Sequence, residues 1–150
     1  MNLSEHFTLE EATRSVTAEL QGIKNSPPPK ILDNMQRCAK QLEFVRNKLG
    51  SPLKINSWFR SPELNKAVGG AFNSAHMTGW AVDLHSDKMS PYQLGKFILG
   101  MGIDFDQIIH EYGQWVHLSF DPANRKQVLT KFDGPYSTGW LTKLEYNKSL

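Results

Sequence analysis

Cysteine is almost absent: the chain of 150 residues has one, Cys38. That excludes a disulfide framework and any zinc cluster built on thiolates. No apolar run approaches the ~18 residues of a membrane-spanning helix, so no membrane insertion is expected. An excess of one charge is lacking too: Lys and Arg number 17 against 15 Asp and Glu, a net charge of +2. That balance does not suit phosphate-backbone binding as the main task, and no nucleic-acid partner is expected. The first residues, MNLSEHFTLEE, are polar and acidic where a secretory signal would be basic and then apolar. The expectation is a chain made in the cytoplasm that needs some other exit to act outside it. Internal repeats are missing. So is HExxH, which rules out the metalloproteases built on that helical motif.

What is present describes a folded domain. Hydrophobic residues make up 39% and charged residues 21% of the chain, and at this length roughly 70% of the unfolded surface can be buried. One domain over 1–150 is expected, with a helical part over 1–50, a core over about 51–120 and an unassigned segment over 121–150. Thr8 followed by Glu11 resembles a capping box opening a helix from Leu9 to about Glu19. Ser26-Pro27-Pro28-Pro29 reads as a stiff extended connector. Ile31, Met35, Cys38, Leu42, Val45 and Leu49 then recur at helical spacing, with Gly50 as the stop. After Gly50 the period changes. Leu53–Phe59 alternates as a strand, Ser61-Pro62 opens a short helix that Gly69-Gly70 ends, and Trp80–Leu84 is a second strand. Ser90-Pro91 starts a helix through about Leu99. Phe105–Glu111 and Gln114–Phe120 are strands joined by a tight turn at Tyr112-Gly113. Helices first and strands later indicate an α+β class with a small, largely antiparallel sheet and flanking helices. Trp58, Trp80 and Phe120 are expected in the core.

Two imidazoles and one carboxylate stand out. His76 and Asp83 are seven residues apart, and His117 follows on the strand Trp115–Ser119. Such a trio is a standard ligand set for catalytic zinc with the fourth position open, although ligand count alone suits non-haem iron as well. The plain alternative is a hydrogen-bonded structural histidine and a loop-capping Asp83. His6 and His85 have no assignment.

The run Ser74-x-His76-x-x-Gly79-x-Ala81-x-Asp83 resembles, without a gap, the pattern of the M15 peptidases. These comprise zinc D-Ala-D-Ala carboxypeptidases and phage L-alanyl-D-glutamate endolysins. Ser57–Asn65 is similar to that family's strand ending in Tyr-Arg-Ser-Pro, and Asp106–Glu111 with Trp115–Ser119 to its last two core strands. Phe7–Glu11, with Ser15 and Ala18, is similar to the start of a branch common in phages and prophages. The likeness runs over roughly residues 5–120. It implies the fold shared with the Hedgehog signalling domain, a bound Zn2+, and hydrolysis of peptidoglycan stem peptides by a monomer. It also implies release to the cell wall through a holin, or carriage on a virion. The bond cut stays open between the L-Ala–D-Glu and D-Ala–D-Ala linkages. A non-catalytic zinc-binding module, or a virion structural component on the same fold, is the alternative.

By the same resemblance His76, Asp83 and His117 hold the zinc, and Glu111, six residues before the last ligand, is the catalytic carboxylate. The turn at Gly113 folds Glu111 back beside His117; a solvated strand-end carboxylate is the plain alternative. His110 is the weaker base, since alternation points it to the opposite face. Arg60 corresponds to the family's substrate arginine, with a catalytic and a binding role. Its guanidinium suits a carboxylate or a developing oxyanion, against the alternative of a surface ion pair. Ser74 and Trp115 are the other expected substrate contacts. Trp115 departs from several relatives, which carry a histidine there, and alternation puts it on the face of His117. Gly69-Gly70 and Gly79 are expected to shape the backbone around the site.

Overall fold

The change of period after Gly50 is where helix gives way to sheet in the computed structural model, which describes residues 1–150. The helices are α1 (Leu9–Thr13), α2 (Val16–Gln21), α3 (Pro29–Leu49), α4 (Pro62–Ala67), α5 (Pro91–Gly100) and α6 (Lys143–Ser149). The strands are β1 (Lys54–Ser57), β2 (Ala81–His85), β3 (Gln107–Glu111), β4 (Trp115–Ser119), β5 (Gln127–Lys131) and β6 (Ser137–Thr138). They form one six-stranded sheet in the order β1-β2-β4-β3-β5-β6. Every pairing is antiparallel except β3 with β5. The expected mixture of flanking helices and a largely antiparallel sheet is what the chain forms.

Two expectations near the N-terminus are corrected. The helix drawn from Leu9 to Glu19 is two helices, broken where Arg14 and Ser15 adopt extended backbone. Thr13 donates its hydroxyl to the Leu9 carbonyl, and the Ser15 hydroxyl accepts the Ala18 N–H at 3.2 Å. A serine in that position caps a new helix more readily than it continues an old one. The proline connector ends at Pro28: Pro29 is the first residue of α3, where its missing N–H has no intrahelical partner to lose. At the other end Gly50 closes α3 with φ at 73°, as the sequence predicts.

The core lies between α3, α5 and one face of the sheet. Met35, Cys38, Leu42 and Val45 of α3 and Leu94 and Ile98 of α5 cluster with Val82, Leu84, Ile108, Val116 and Leu118. Each fully buried leucine contributes about 1.5–3 kcal/mol. Side chains alternate along a strand, so burying Val82, Leu84, Val116 and Leu118 sends Asp83 and His117 to the opposite face. Trp58 and Phe120 join the core and Trp80 packs against it. The strand expected over Leu53–Phe59 pairs only over Lys54–Ser57, with an irregularity between Ile55 and Ser57. Beyond it Trp58 turns inward and donates its indole N–H to the Gly79 carbonyl at 2.9 Å. The unassigned segment 121–150 forms β5, β6 and α6, the last opened by a capping box of Thr142 and Glu145.

Candidate active site

His76 sits in the loop between α4 and β2, and three contacts fix it. Its Nδ1 donates to the Trp58 carbonyl at 2.7 Å, and its backbone N–H to the Ser74 hydroxyl at 3.2 Å. The Arg60 N–H donates to the His76 carbonyl at 3.2 Å. Gly79 lets this loop press against α3: its φ is +82°, and an added Cβ would meet Met35 Cγ at 2.7 Å. Other residues resist both conditions. With Nδ1 committed to Trp58, Nε2 of His76 is the nitrogen left to bind a metal.

That nitrogen lies 3.3 Å from Asp83 Oδ2. Strands β2 and β4 pair with Asp83 directly opposite His117, and this register carries the other carboxylate oxygen to 2.9 Å from His117 Nδ1. The two imidazoles meet edge to face with centroids 5.1 Å apart. All three residues are buried, and their ligand atoms lie within 4.8 Å of one another. Ligands held on a tetrahedral zinc stand about 3.3 Å apart, so the donor set and its spacing fit that ion. Burial opposes charge on Asp83, but charge on His76 and the hydrogen bond from His117 outweigh it and hold the carboxyl well below its ordinary range. In His76 burial, helped by the charges of His117 and Arg60, outweighs Asp83, and the pKa falls. In His117 burial is outweighed by Asp83 and Glu111, and the pKa rises.

Glu111 ends β3. Tyr112 and Gly113 follow with φ at 58° and 67°, the positive pair that a tight hairpin uses. This hairpin brings Glu111 Oε1 to 3.8 Å from His117 Nδ1, with the side chain 13% exposed. It is not a solvated strand end. The Trp115 indole N–H donates to the same oxygen at 3.4 Å. Burial raises the Glu111 pKa against the pull of His117, which suits a group that must both take and return a proton. His110 faces away. Its ring packs among Tyr92, Phe132 and Trp140, and its Nδ1 donates to the Leu141 carbonyl at 2.9 Å.

Arg60 follows β1 and makes no surface ion pair. Its Nε is buried without a hydrogen-bond partner. Burial lowers its pKa while the charges of Asp83 and Glu111 support it. A buried guanidinium N–H with no acceptor in the protein is placed to take one from a ligand. Ser74 and Trp115 line the same groove as Arg60, Glu111 and the His76–Asp83–His117 cluster. The expected site residues are therefore all brought together.

The profile of the Peptidase M15 family matches residues 5–119. The chain belongs to that family. A zinc D-Ala-D-Ala carboxypeptidase of Streptomyces albus G is 47% identical to this M15 chain over 45 residues. The match covers 29% of this chain and 18% of the carboxypeptidase, so the chain accounts for under a fifth of that relative's length. The part of this M15 chain beyond the matched span also reaches the groove, through Gln127, Leu129 and Tyr136. Together with Ile109 and Tyr112, these are site residues that the sequence does not announce. Ile109 stands two positions before Glu111 on one strand, so alternation could have found it. Tyr136 lies in a segment without periodicity, and nothing in the sequence marks it.

Proposed function

We propose that this chain is a zinc metallopeptidase that hydrolyses peptidoglycan stem peptides, at the L-Ala–D-Glu or the D-Ala–D-Ala bond, with Zn2+ held by His76, Asp83 and His117. The observation that carries this reading is Glu111, a largely shielded carboxylate 3.8 Å from His117 Nδ1 in a chain of the Peptidase M15 family. Zinc in such a site polarises a carbonyl and lowers the pKa of a water to about 7. Glu111 accepts a proton from the attacking water and returns it to the leaving nitrogen. The Trp115 N–H orients that carboxylate, and the Trp58 carbonyl fixes the tautomer of His76. Arg60 offers its unpartnered Nε edge to the developing oxyanion or to a substrate carboxylate. Ser74 and Trp115 wall the groove.

The peptidoglycan substrate rests on the carboxypeptidase relative. The fold shared with Hedgehog domains is supported by the mostly antiparallel sheet and flanking helices. A phage or prophage origin, with release through a holin or carriage on a virion, rests on the likeness of Phe7–Glu11 to the phage branch. Mass spectrometry of purified muropeptides incubated with the zinc-loaded protein tests the activity. One new pair of products from a single stem bond is expected. Bound zinc with no cleavage of any muropeptide would overturn the reading in favour of a binding module.

A further inference from the structure

The groove continues past the metal cluster. Register lays out its floor as a row across the sheet: Asp83 opposite His117, His117 opposite Ile109, and Ile109 opposite Leu129. Neighbouring strands are about 4.8 Å apart, so Leu129 on β5 lies roughly 10 Å beyond His117, about three extended residues away. Arg60 lies towards the β1 end of the same row. At the β5 end stands Tyr136, 55% exposed yet lining the groove that holds Glu111. It is braced. Lys131, opposite Glu111 on β5, places its ammonium 5.1 Å from the Tyr136 ring centroid and donates to the Gly134 carbonyl at 2.6 Å. The groove encloses ≈ 1210 Å³, more than the roughly 300–1,000 Å³ usual for a small ligand. Leu129, Lys131 and Tyr136 all lie outside the span matched to the family.

We infer that Leu129 and Tyr136 form a subsite for the stem peptide about two to three residues from the scissile bond, which makes the chain a hydrolase of oligopeptides and not of free dipeptides. This inference rests on the function proposed above. Leu129 gives an apolar floor for a methyl or methylene group. Tyr136, lining the same groove, adds a rigid ring that loses little conformational freedom on binding. Lys131 is a positioning residue that acts through Tyr136.

Calorimetric titration of the zinc-loaded Glu111→Gln chain reads binding apart from turnover. The probes are a sugar-free pentapeptide stem and the dipeptides L-Ala-D-Glu and D-Ala-D-Ala. Adding Tyr136→Ala should weaken pentapeptide binding roughly tenfold, a typical loss for an aromatic anchor, with under about a twofold change for a dipeptide. Tyr136→Phe should restore it. An equal loss on pentapeptide and dipeptide, or no loss on either, overturns the subsite. A loss seen only with stems that carry the disaccharide assigns Tyr136 to sugar and overturns it as well. If the parent binds neither pentapeptide nor dipeptide, the function itself fails, a result distinct from an affinity that ignores Tyr136.

Discussion

Replacing Glu111 by glutamine separates chemistry from architecture. The amide keeps the shape of the side chain and an oxygen to accept the Trp115 N–H, now 3.4 Å from Glu111 Oε1. It cannot carry a proton between water and a leaving nitrogen. A general base is worth roughly 10²–10⁴ in rate, or about 2.7–5.4 kcal/mol of barrier, and turnover should fall by that factor. Stability should move the other way. Burial raises the Glu111 pKa, so the folded state holds this proton more tightly than the unfolded chain. The wild type therefore loses stability as pH climbs from the ordinary glutamate value of about 4.3 through the raised one. The metal-free glutamine variant has no such loss and should unfold at an equal or higher temperature at neutral pH. Product release followed by chromatography, zinc content by elemental analysis and thermal unfolding by circular dichroism are the three readouts. Near-wild-type turnover with full zinc would place the base elsewhere. Loss of zinc in the variant would make Glu111 a ligand and not a base.

His117→Ala leaves two of three ligands, and zinc occupancy should collapse; full occupancy by elemental analysis would refute the ligand set. Since ligating imidazoles must be neutral, zinc binding by the wild type should weaken below about pH 6. Arg60→Lys keeps the charge but loses the planar fork, and a large drop in kcat/KM is expected whichever stem bond is cut; unchanged kinetics would return Arg60 to a structural role. Asp106 accepts three hydrogen bonds from Arg125, from Nε at 2.9 Å, Nη2 at 2.8 Å and the backbone N–H at 3.0 Å, and the Arg125 side chain holds its pKa low. That stabilisation is present above the unfolded value of about 3.9 and is lost as pH falls through the depressed one. Asp106→Asn should therefore cost about 1–3 kcal/mol at pH 7, with the gap to wild type closing below about pH 4 in chemical denaturation; a gap independent of pH would refute this.

The parts of the fold legible in the sequence are those whose signals are local. The stripe from Ile31 to Leu49, the caps at Ser61 and Ser90, and the Tyr112-Gly113 hairpin are each written within a few residues. Alternation alone placed His110 and Glu111 on opposite faces. The break between α1 and α2 was hidden because Ser15 is tolerable inside a helix and is revealed as a cap only by its hydrogen bond. Strand β5 was hidden for another reason. Its five residues pair in parallel with β3, a partner twenty positions earlier, and a non-local pairing leaves little trace in a short polar strand. The same holds for the metal cluster. His76, Asp83 and His117 are visible as residue types and as a family pattern, but their convergence depends on the β2–β4 register.

The sheet ends on two short edges. One is β1, four residues long with an irregularity in its pairing, and the other is β6, of two residues. A strand edge offers unpaired N–H and C=O groups to any second copy, and short, uneven edges give such a copy little to zip onto. Helix α1 packs beside β1 and adds to the cover of that edge. Strand β6 covers β5, whose residues Leu129 and Thr130 pair with Thr138 and Ser137. Replacing Ser137 and Thr138 with prolines would strip that cover and leave a five-residue hydrogen-bonding edge on β5. Light scattering of the concentrated variant should then show growing particles where the wild type shows none, and a variant that stays dispersed would mean the edge is guarded by something else.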